Sequence, residues 1–457
     1  MVWIAVVAYF VVQLGIGWWA SRRIAGEVDY LVAGRRLGLW MVAGSLFATW
    51  FGAETVMGSS SAIADEGLSG GRADPFGYAL CLVGMAFLIA YRMRDHGYVT
   101  LGDFFRERYG RLVELLAVVI MVPTSVMWAA AQLLAFGEVI VVVSDIDLQV
   151  ALIVSLAMVV GYTVLGGLLS DVVTDLFQGA IVIIGLVLLL GFVFAAAGGI
   201  GTAVSSISLD QLHLVGEDES LLAALDSWMV PIVGSLVAQE AISRFLGAKS
   251  PSIARKACFA AAGLYLTVGL IPVIIGLIAA NLDSNLVFDD TFLPLLAEDL
   301  MPPVLFVIFI GALVSAILST VDSTLLAVSA LVTRNIIDPL TPNASERQRV
   351  TTARLIVVIA GVAAYVMATG SDSIYGLVET ASSYGTAGIA VTVVIGLWSG
   401  FGGPRAALAA LIAGLAGTVI FGAYYEDVSF ILSLIVSAIS FVAVAAVERR
   451  EPARDAA

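Results

Sequence analysis

Apolar residues run along this chain in blocks of roughly fifteen to twenty, as at 2–20, 181–197 and 304–318, each closed by polar or glycine-containing stretches. Such a block is long enough to cross a hydrocarbon core of roughly 30 Å as a helix. Lipid supplies no partner for backbone N–H and C=O groups, so a spanning segment is either a helix or part of a closed barrel. A barrel needs alternating strands of about ten residues, and the chain carries no such alternation. The pattern predicts an all-α polytopic membrane protein of about thirteen transmembrane helices. They fall near 2–21, 39–63, 74–92, 112–143, 148–166, 171–197, 222–245, 255–281, 302–335, 352–369, 375–398, 405–423 and 428–447.

Composition agrees. Of 457 residues, 60% are hydrophobic and 13% charged, against about a quarter charged in soluble domains. The first block has no basic stretch before it and no small-residue cleavage site after it, so it reads as a retained span. Cys81 and Cys258 fall inside apolar blocks and read as small buried hydrophobes, without a disulfide or a metal cluster.

The sign of the charge alternates between connections. Loops holding Arg22 to Arg36, Arg92 to Arg111, Arg244 to Lys256, Arg334 to Arg354, and Arg405 alternate with loops nearly free of Lys and Arg, Arg72 excepted. The positive-inside rule then puts the N-terminus outside and the C-terminus, with Arg449, Arg450 and Arg454, inside. The outward loops are acidic at Asp65-Glu66, Asp145, Asp147, Glu217-Asp218-Glu219, Asp289-Asp290 and Glu426-Asp427. That surface either concentrates cations modestly or is simply well solvated. The expected location is a cell membrane, multi-pass, of the prokaryotic inner or plasma type.

Two spans carry polar residues at membrane depth. In the second, Ala48-Thr49-Trp50-Phe51-Gly52-Ala53-Glu54-Thr55 places a glycine and a carboxylate mid-span. An ionised group there costs at least about 2.5 kcal/mol unless it meets water or a partner. In the seventh, Pro231, Gly234 and Ser235 precede Gln239-Glu240. Broken helices at these points free carbonyls for a cation and helix ends for polar solute groups; a kink of purely structural use is the competing reading. The two spans lie five elements apart, which predicts inverted five-helix units at 37–200 and 221–400. A leading helix and loop at 1–36 and two trailing helices at 401–457 complete one transporter domain, 1–457. The pairing rests on hydropathy and position, without a residue-level repeat.

The ninth span contains Ser315-Ala316-Ile317-Leu318-Ser319-Thr320-Val321-Asp322-Ser323-Thr324. Ala316, Ser319, Thr320 and Ser323 recur at helical spacing, so one face offers hydroxyls and a close-approach backbone. Hydroxyl faces also serve helix packing, but Asp322 beside this one marks a functional position in a bilayer.

Together these segments resemble the sodium:solute symporter family. The likeness begins at Asp29-Tyr30-Leu31-Val32-Ala33-Gly34-Arg35-Arg36. It continues through Gly166-Gly167-Leu168-Leu169-Ser170-Asp171-Val172-Val173-Thr174-Asp175, the Ala316–Ser323 stretch and Arg334-Asn335-Ile336, covering nearly the whole chain. It implies a LeuT-type 5+5 inverted repeat with one helix before the core and two after it, and a sodium-coupled symporter working by alternating access. Matched motif to motif, it implies a sodium site from the carbonyls of Ala48, Phe51 and Ala316 with the hydroxyls of Ser319 and Thr320. It further implies a second sodium or an ion-exit site at Asp175, with Asp322 and Ser323 able to complete it, while Asp171 can equally begin a helix as an anion.

Within the family the chain is similar to high-affinity choline carriers at Ala48-Thr49-Trp50, Pro75-Phe76-Gly77-Tyr78 and Met127-Trp128-Ala129. Trp50, Tyr78 and Trp128 would then form an aromatic cage for a quaternary ammonium, with Glu54 adding charge and Gln239 also in the solute site. Interfacial aromatics serve as membrane belts too. Those carriers have a tryptophan before the glutamine, where this chain has Ala238, so a sugar, amino acid or monocarboxylate stays open. Arg244 reads as an interfacial or gating residue.

The expected partners are a small-molecule solute, sodium ions and the lipid bilayer, with no obligate protein partner and no nucleic acid. A channel would show a filter-like segment and a sensor an appended signalling domain, and neither is evident in the sequence. An enzyme is disfavoured, since neither His96 nor His213 lies in a span and no nucleophile–base motif stands out.

Overall fold

The computed structural model describes residues 11–12, 15–16, 19, 22, 26–144, 146–216, 219–282, 287–371 and 373–448. Most of the expected first span, together with Arg23, Asp145, Glu217-Asp218 and the C-terminal arginines, lies outside the described residues.

Among the described residues the chain is helical, and the single β contact is an isolated bridge between Leu37 and Ala248. Seven helices are long and apolar enough to cross a membrane, or ten when each bent pair counts as one span. Two shorter apolar helices, Leu39–Trp50 and Leu148–Val164, stand where two further spans are expected. Thirteen spans and the sidedness of the termini remain expectations.

Burial sorts the helices into a centre and a rim. The apolar window of the ninth span, within Pro303–Leu340, is 72% buried, whereas those of Glu346–Ala368 and Glu426–Glu448 are 28% buried. Pro303–Val332 is thus the internal post, packed on Leu148–Ala196 and Arg111–Val142, while the last helices present apolar faces outward. Small residues permit this closeness. A Cβ on Gly185 would come within 2.4 Å of the Ala312 Cβ, and one on Gly234 within 2.0 Å of the Ser382 carbonyl oxygen.

The second and seventh spans are broken as the sequence suggests. Leu39–Trp50 ends at Phe51 (φ −86°, ψ 63°), beyond which the chain resumes a helical course over Glu54–Gly58 and Ser59–Glu66. Leu221–Val237 and Gln239–Leu246 meet at a 48° bend, with Ala238 extended between them. Two further bends had no counterpart in the sequence reading. Arg72–Leu88 turns by 46° into Ala90–His96, and Ile374–Ser383 turns by 45° into Thr386–Trp398 at Tyr384-Gly385, where Gly385 has a positive φ of 67°. Cys81 and Cys258 are buried and free.

Candidate functional site

At the break in the second span, Phe51-Gly52 leaves the helix just where the ninth span passes. The Ser319 hydroxyl lies 2.8 Å from both the Ala48 and the Ala316 carbonyl oxygens, and the Thr320 hydroxyl lies 3.2 Å from that of Ala316. Gly52 is a glycine for want of room: a Cβ there would come within 2.6 Å of Thr320 Oγ1 and of Glu54 Oε2. Ala48, Ala316, Ser319 and Thr320 thereby meet at one buried point, with Phe51 next to Gly52 in the chain, each at most 2% exposed. Carbonyl and hydroxyl oxygens with no nitrogen or sulfur donor suit a hard cation.

A few ångströms of chain away, the helix break is pinned by polar contacts. Tyr265 donates its hydroxyl within 3.0 Å of the Trp50 carbonyl and of both Asp74 carboxylate oxygens, and Thr55 Oγ1 lies 2.6 Å from Asp74 Oδ2. Gln132 completes the brace, donating to Glu54 Oε2 at 2.6 Å while its own oxygen accepts from the Ala53 amide at 3.0 Å. Glu54 Oε1 has no hydrogen-bond partner.

Trp50, Tyr78 and Trp128 meet as the sequence suggests. The indoles of Trp50 and Trp128 lie nearly parallel with centroids 6.4 Å apart, and Tyr78 closes the triangle at 5.7 and 5.8 Å. A guest between two ring faces needs about 7 Å or more, because each carbon contact takes about 3.5 Å. The cluster is therefore closed, and a solute enters it only when a ring moves. The Trp128 indole is directed toward the Glu54 carboxylate and the Trp50 indole toward that of Glu240, neither nitrogen closing a hydrogen bond.

Space lies on both sides of the rings. One cleft, about 590 Å³ including its open mouth, reaches Glu54 and Tyr78 from the face bearing Glu66, Arg72 and Glu379. The other, about 330 Å³, is bordered by Trp128, Ser235, Ala238, Glu240 and Ser382. Gln239 is not brought to the rings. Its side-chain oxygen accepts from the Leu101 amide at 2.9 Å and its nitrogen donates to Ser243 at 2.9 Å, so its capacity serves the adjoining helix Leu101–Tyr109.

The second expected ion position is more elaborate than the sequence suggests. Asp171, Asp175 and Asp322 are buried with ligand oxygens within 4.8 Å of one another. Arg244, read from sequence as interfacial or gating, is 1% exposed and lies inside this cluster rather than at an interface. It pairs with Asp171, donates to Ser323, and stands 3.5 Å from Asp175. Asp171 is thus an ion-pair partner as well as a residue near a helix start. Asp175 also accepts from Ser45 at 2.5 Å, Tyr162 donates to Asp322, and Asp175 Oδ1 has no partner. Three carboxylates against one guanidinium leave room for positive charge. The burial of Arg244 had a faint signal: it is the one basic residue one helical turn beyond Glu240 on a broken span.

Arg72, the exception to the charge pattern, is also paired. It meets the Glu219 carboxylate with two nitrogens, one of them at 2.8 Å, and reaches the Leu214 carbonyl at 3.1 Å at the mouth of the larger cleft.

Comparison with known proteins gives consistent results. The model of the sodium:solute symporter family matches residues 30–414. The high-affinity choline transporter 1 of Drosophila melanogaster is 30% identical over 396 residues, covering 82% of this chain and 63% of that protein. The chain thus spans less than two thirds of the length of that relative. The osmoregulated proline transporter OpuE of Bacillus subtilis (strain 168) is 26% identical, with 93% and 92% of the two chains covered. A solved Na+-coupled sialic acid symporter in a substrate-bound outward-open state superposes with a TM-score of 0.84 at 17% identity, covering 98% of this chain and 97% of that one, which shows a shared fold.

Proposed function

Since this chain belongs to the sodium:solute symporter family, we propose that it imports a small organic cation, of the choline or wider quaternary ammonium class, together with sodium by alternating access. The observation that carries the solute part of this reading is the buried triangle of Trp50, Tyr78 and Trp128 with Glu54 beside it. Ring faces attract an ammonium by about 0.5–1 kcal/mol each at exposed sites and about 2 kcal/mol when desolvated. A sugar, amino acid or monocarboxylate is the alternative solute, favoured by Ala238 and by the proline-transporter relative.

In this reading sodium is bound by the carbonyls of Ala48, Phe51 and Ala316 and the hydroxyls of Ser319 and Thr320, tying the broken second span to the ninth. Asp175, with Asp322 and Ser323, holds a second sodium or lies on the ion's exit route, and Arg244 sets the charge there. The two broken helices open inverted units at 37–200 and 221–400 that rock against each other. One sodium descending a tenfold gradient yields about 1.4 kcal/mol, and 100 mV inside-negative adds about 2.3 per charge. That sum supports several-hundred-fold accumulation of a neutral solute, and more of a cation.

The test is a thermal-shift panel on the purified protein with quaternary amines, sugars, amino acids and carboxylates, with and without sodium. Sodium-dependent stabilisation by quaternary amines is expected. Stabilisation by sugars or carboxylates alone rejects the cation reading.

A further inference from the structure

Around the ring triangle two buried carboxyl groups stand without a cationic partner among the described residues. Glu54 and Glu240 are 1% and 2% exposed, and each has one carboxylate oxygen with no hydrogen-bond partner. Neither makes an ion pair among the described residues; the nearby guanidinium of Arg244 is taken by Asp171 and Asp175, touching Glu240 only through its backbone carbonyl at 3.0 Å. Indole nitrogens point toward both carboxylates, but a neutral indole brings no positive charge.

The two carboxylates also border the two spaces beside the rings. Glu54 lines the larger cleft with Tyr78, and Glu240 lines the smaller one with Trp128. The larger cleft is acidic through Glu66 and Glu379, since Arg72 in its lining is already paired with Glu219. The cleft thus leads a cation to a carboxylate oxygen that makes no hydrogen bond, with the neutral Trp128 indole as its nearest polar neighbour.

A quaternary ammonium has no N–H and leaves that oxygen unpaired, whereas a primary, secondary or tertiary ammonium fills it with a charge-assisted hydrogen bond, roughly twice as strong as a neutral one. Leaving a buried acceptor unpaired costs the full desolvation of that group. We infer that the solute site is built for a protonated amine bearing at least one N–H, which donates to Glu54 Oε1 while its carbon atoms lie on the Trp50, Tyr78 and Trp128 rings, with Glu240 a second acceptor across them. This rests on the reading of the chain as a carrier of an organic cation and moves its preference from the quaternary class to protonated amines.

The test is a series of ethanolammonium ions carrying zero, one, two or three N-methyl groups, measured by calorimetry on the purified full chain in saturating sodium at neutral pH. All four are cations, so only the number of N–H donors and methyls changes. The mono- and dimethyl members are expected to bind at least about tenfold more tightly than the trimethyl member. Glu54→Gln is expected to abolish that preference, and a single cooperative melting transition of the variant in detergent reports that it is folded. Tightest binding by the trimethyl member in the unaltered protein overturns the inference and leaves the organic-cation reading standing. Binding of no member, with sodium-dependent binding of a sugar or carboxylate, overturns both.

Discussion

The Ser319 hydroxyl sits between two main-chain carbonyls, those of Ala48 and Ala316, at 2.8 Å from each. One carbonyl belongs to the broken second span and the other to the ninth, so a single oxygen holds both edges of the expected sodium position.

Ser319→Ala should therefore raise the sodium concentration needed for half-maximal uptake by about tenfold, taking the loss as one favourable contact of about 1.4 kcal/mol. Thr320→Ala should act in the same direction. Sodium titration of uptake into reconstituted vesicles checks this, and an unchanged midpoint in both variants removes the site.

Gly52 and Gly234 offer a graded comparison. A methyl on Gly52 meets the ends of side chains, Thr320 and Glu54 at 2.6 Å, which can turn aside. A methyl on Gly234 meets the Ser382 carbonyl oxygen at 2.0 Å, which is backbone and cannot. Overpacking costs about 1–3 kcal/mol and more when nothing yields. Gly234→Ala should lower the melting temperature in detergent more than Gly52→Ala; the reverse order would show that the bend at Ala238 is looser than its packing indicates.

Arg244→Gln leaves three buried carboxylates facing one another. Breaking a buried ion pair on one side costs about 3–5 kcal/mol, so the variant should unfold at a lower temperature, and adding Asp171→Asn should recover part of the loss. A double variant no more stable than the single would mean that Arg244 is held chiefly by Asp175 and Ser323.

The Arg72 hydrogen bonds hold the Glu219 carboxyl below its ordinary range. A depressed folded value contributes stability fully above the unfolded pKa of about 4.3, and that stability is lost as pH falls through the folded value. Glu219→Gln should make the acid limb of a stability–pH profile shallower. An identical acid limb would mean that the pair adds nothing to the folded state.

Much of this arrangement is legible in the sequence, for a local reason. Hydroxyls at helical spacing define one face of the ninth span, and a glycine beside a mid-span carboxylate marks the break at Phe51-Gly52, so these positions follow from periodicity and the cost of burying charge. Gln239 and Arg244 do not follow. Whether Gln239 faces the rings or the Leu101 amide depends on where a short helix from a distant part of the chain docks. Arg244 is an end-of-span arginine like many others until Asp171, 73 positions earlier, is packed against it. The bend at Tyr384-Gly385 follows the polar run Glu379-Thr380-Ala381-Ser382-Ser383, so a local signal was present in the sequence and went unread.

Trp50 has a ring in the solute cluster and a carbonyl held by Tyr265, and it stands two positions from Ala48 and one from Phe51. On the proposed reading the solute ring is therefore bracketed by two sodium carbonyls within one four-residue stretch, 48–51. Whatever factor the ion changes in the affinity for the solute, the solute returns to the ion, as linkage requires.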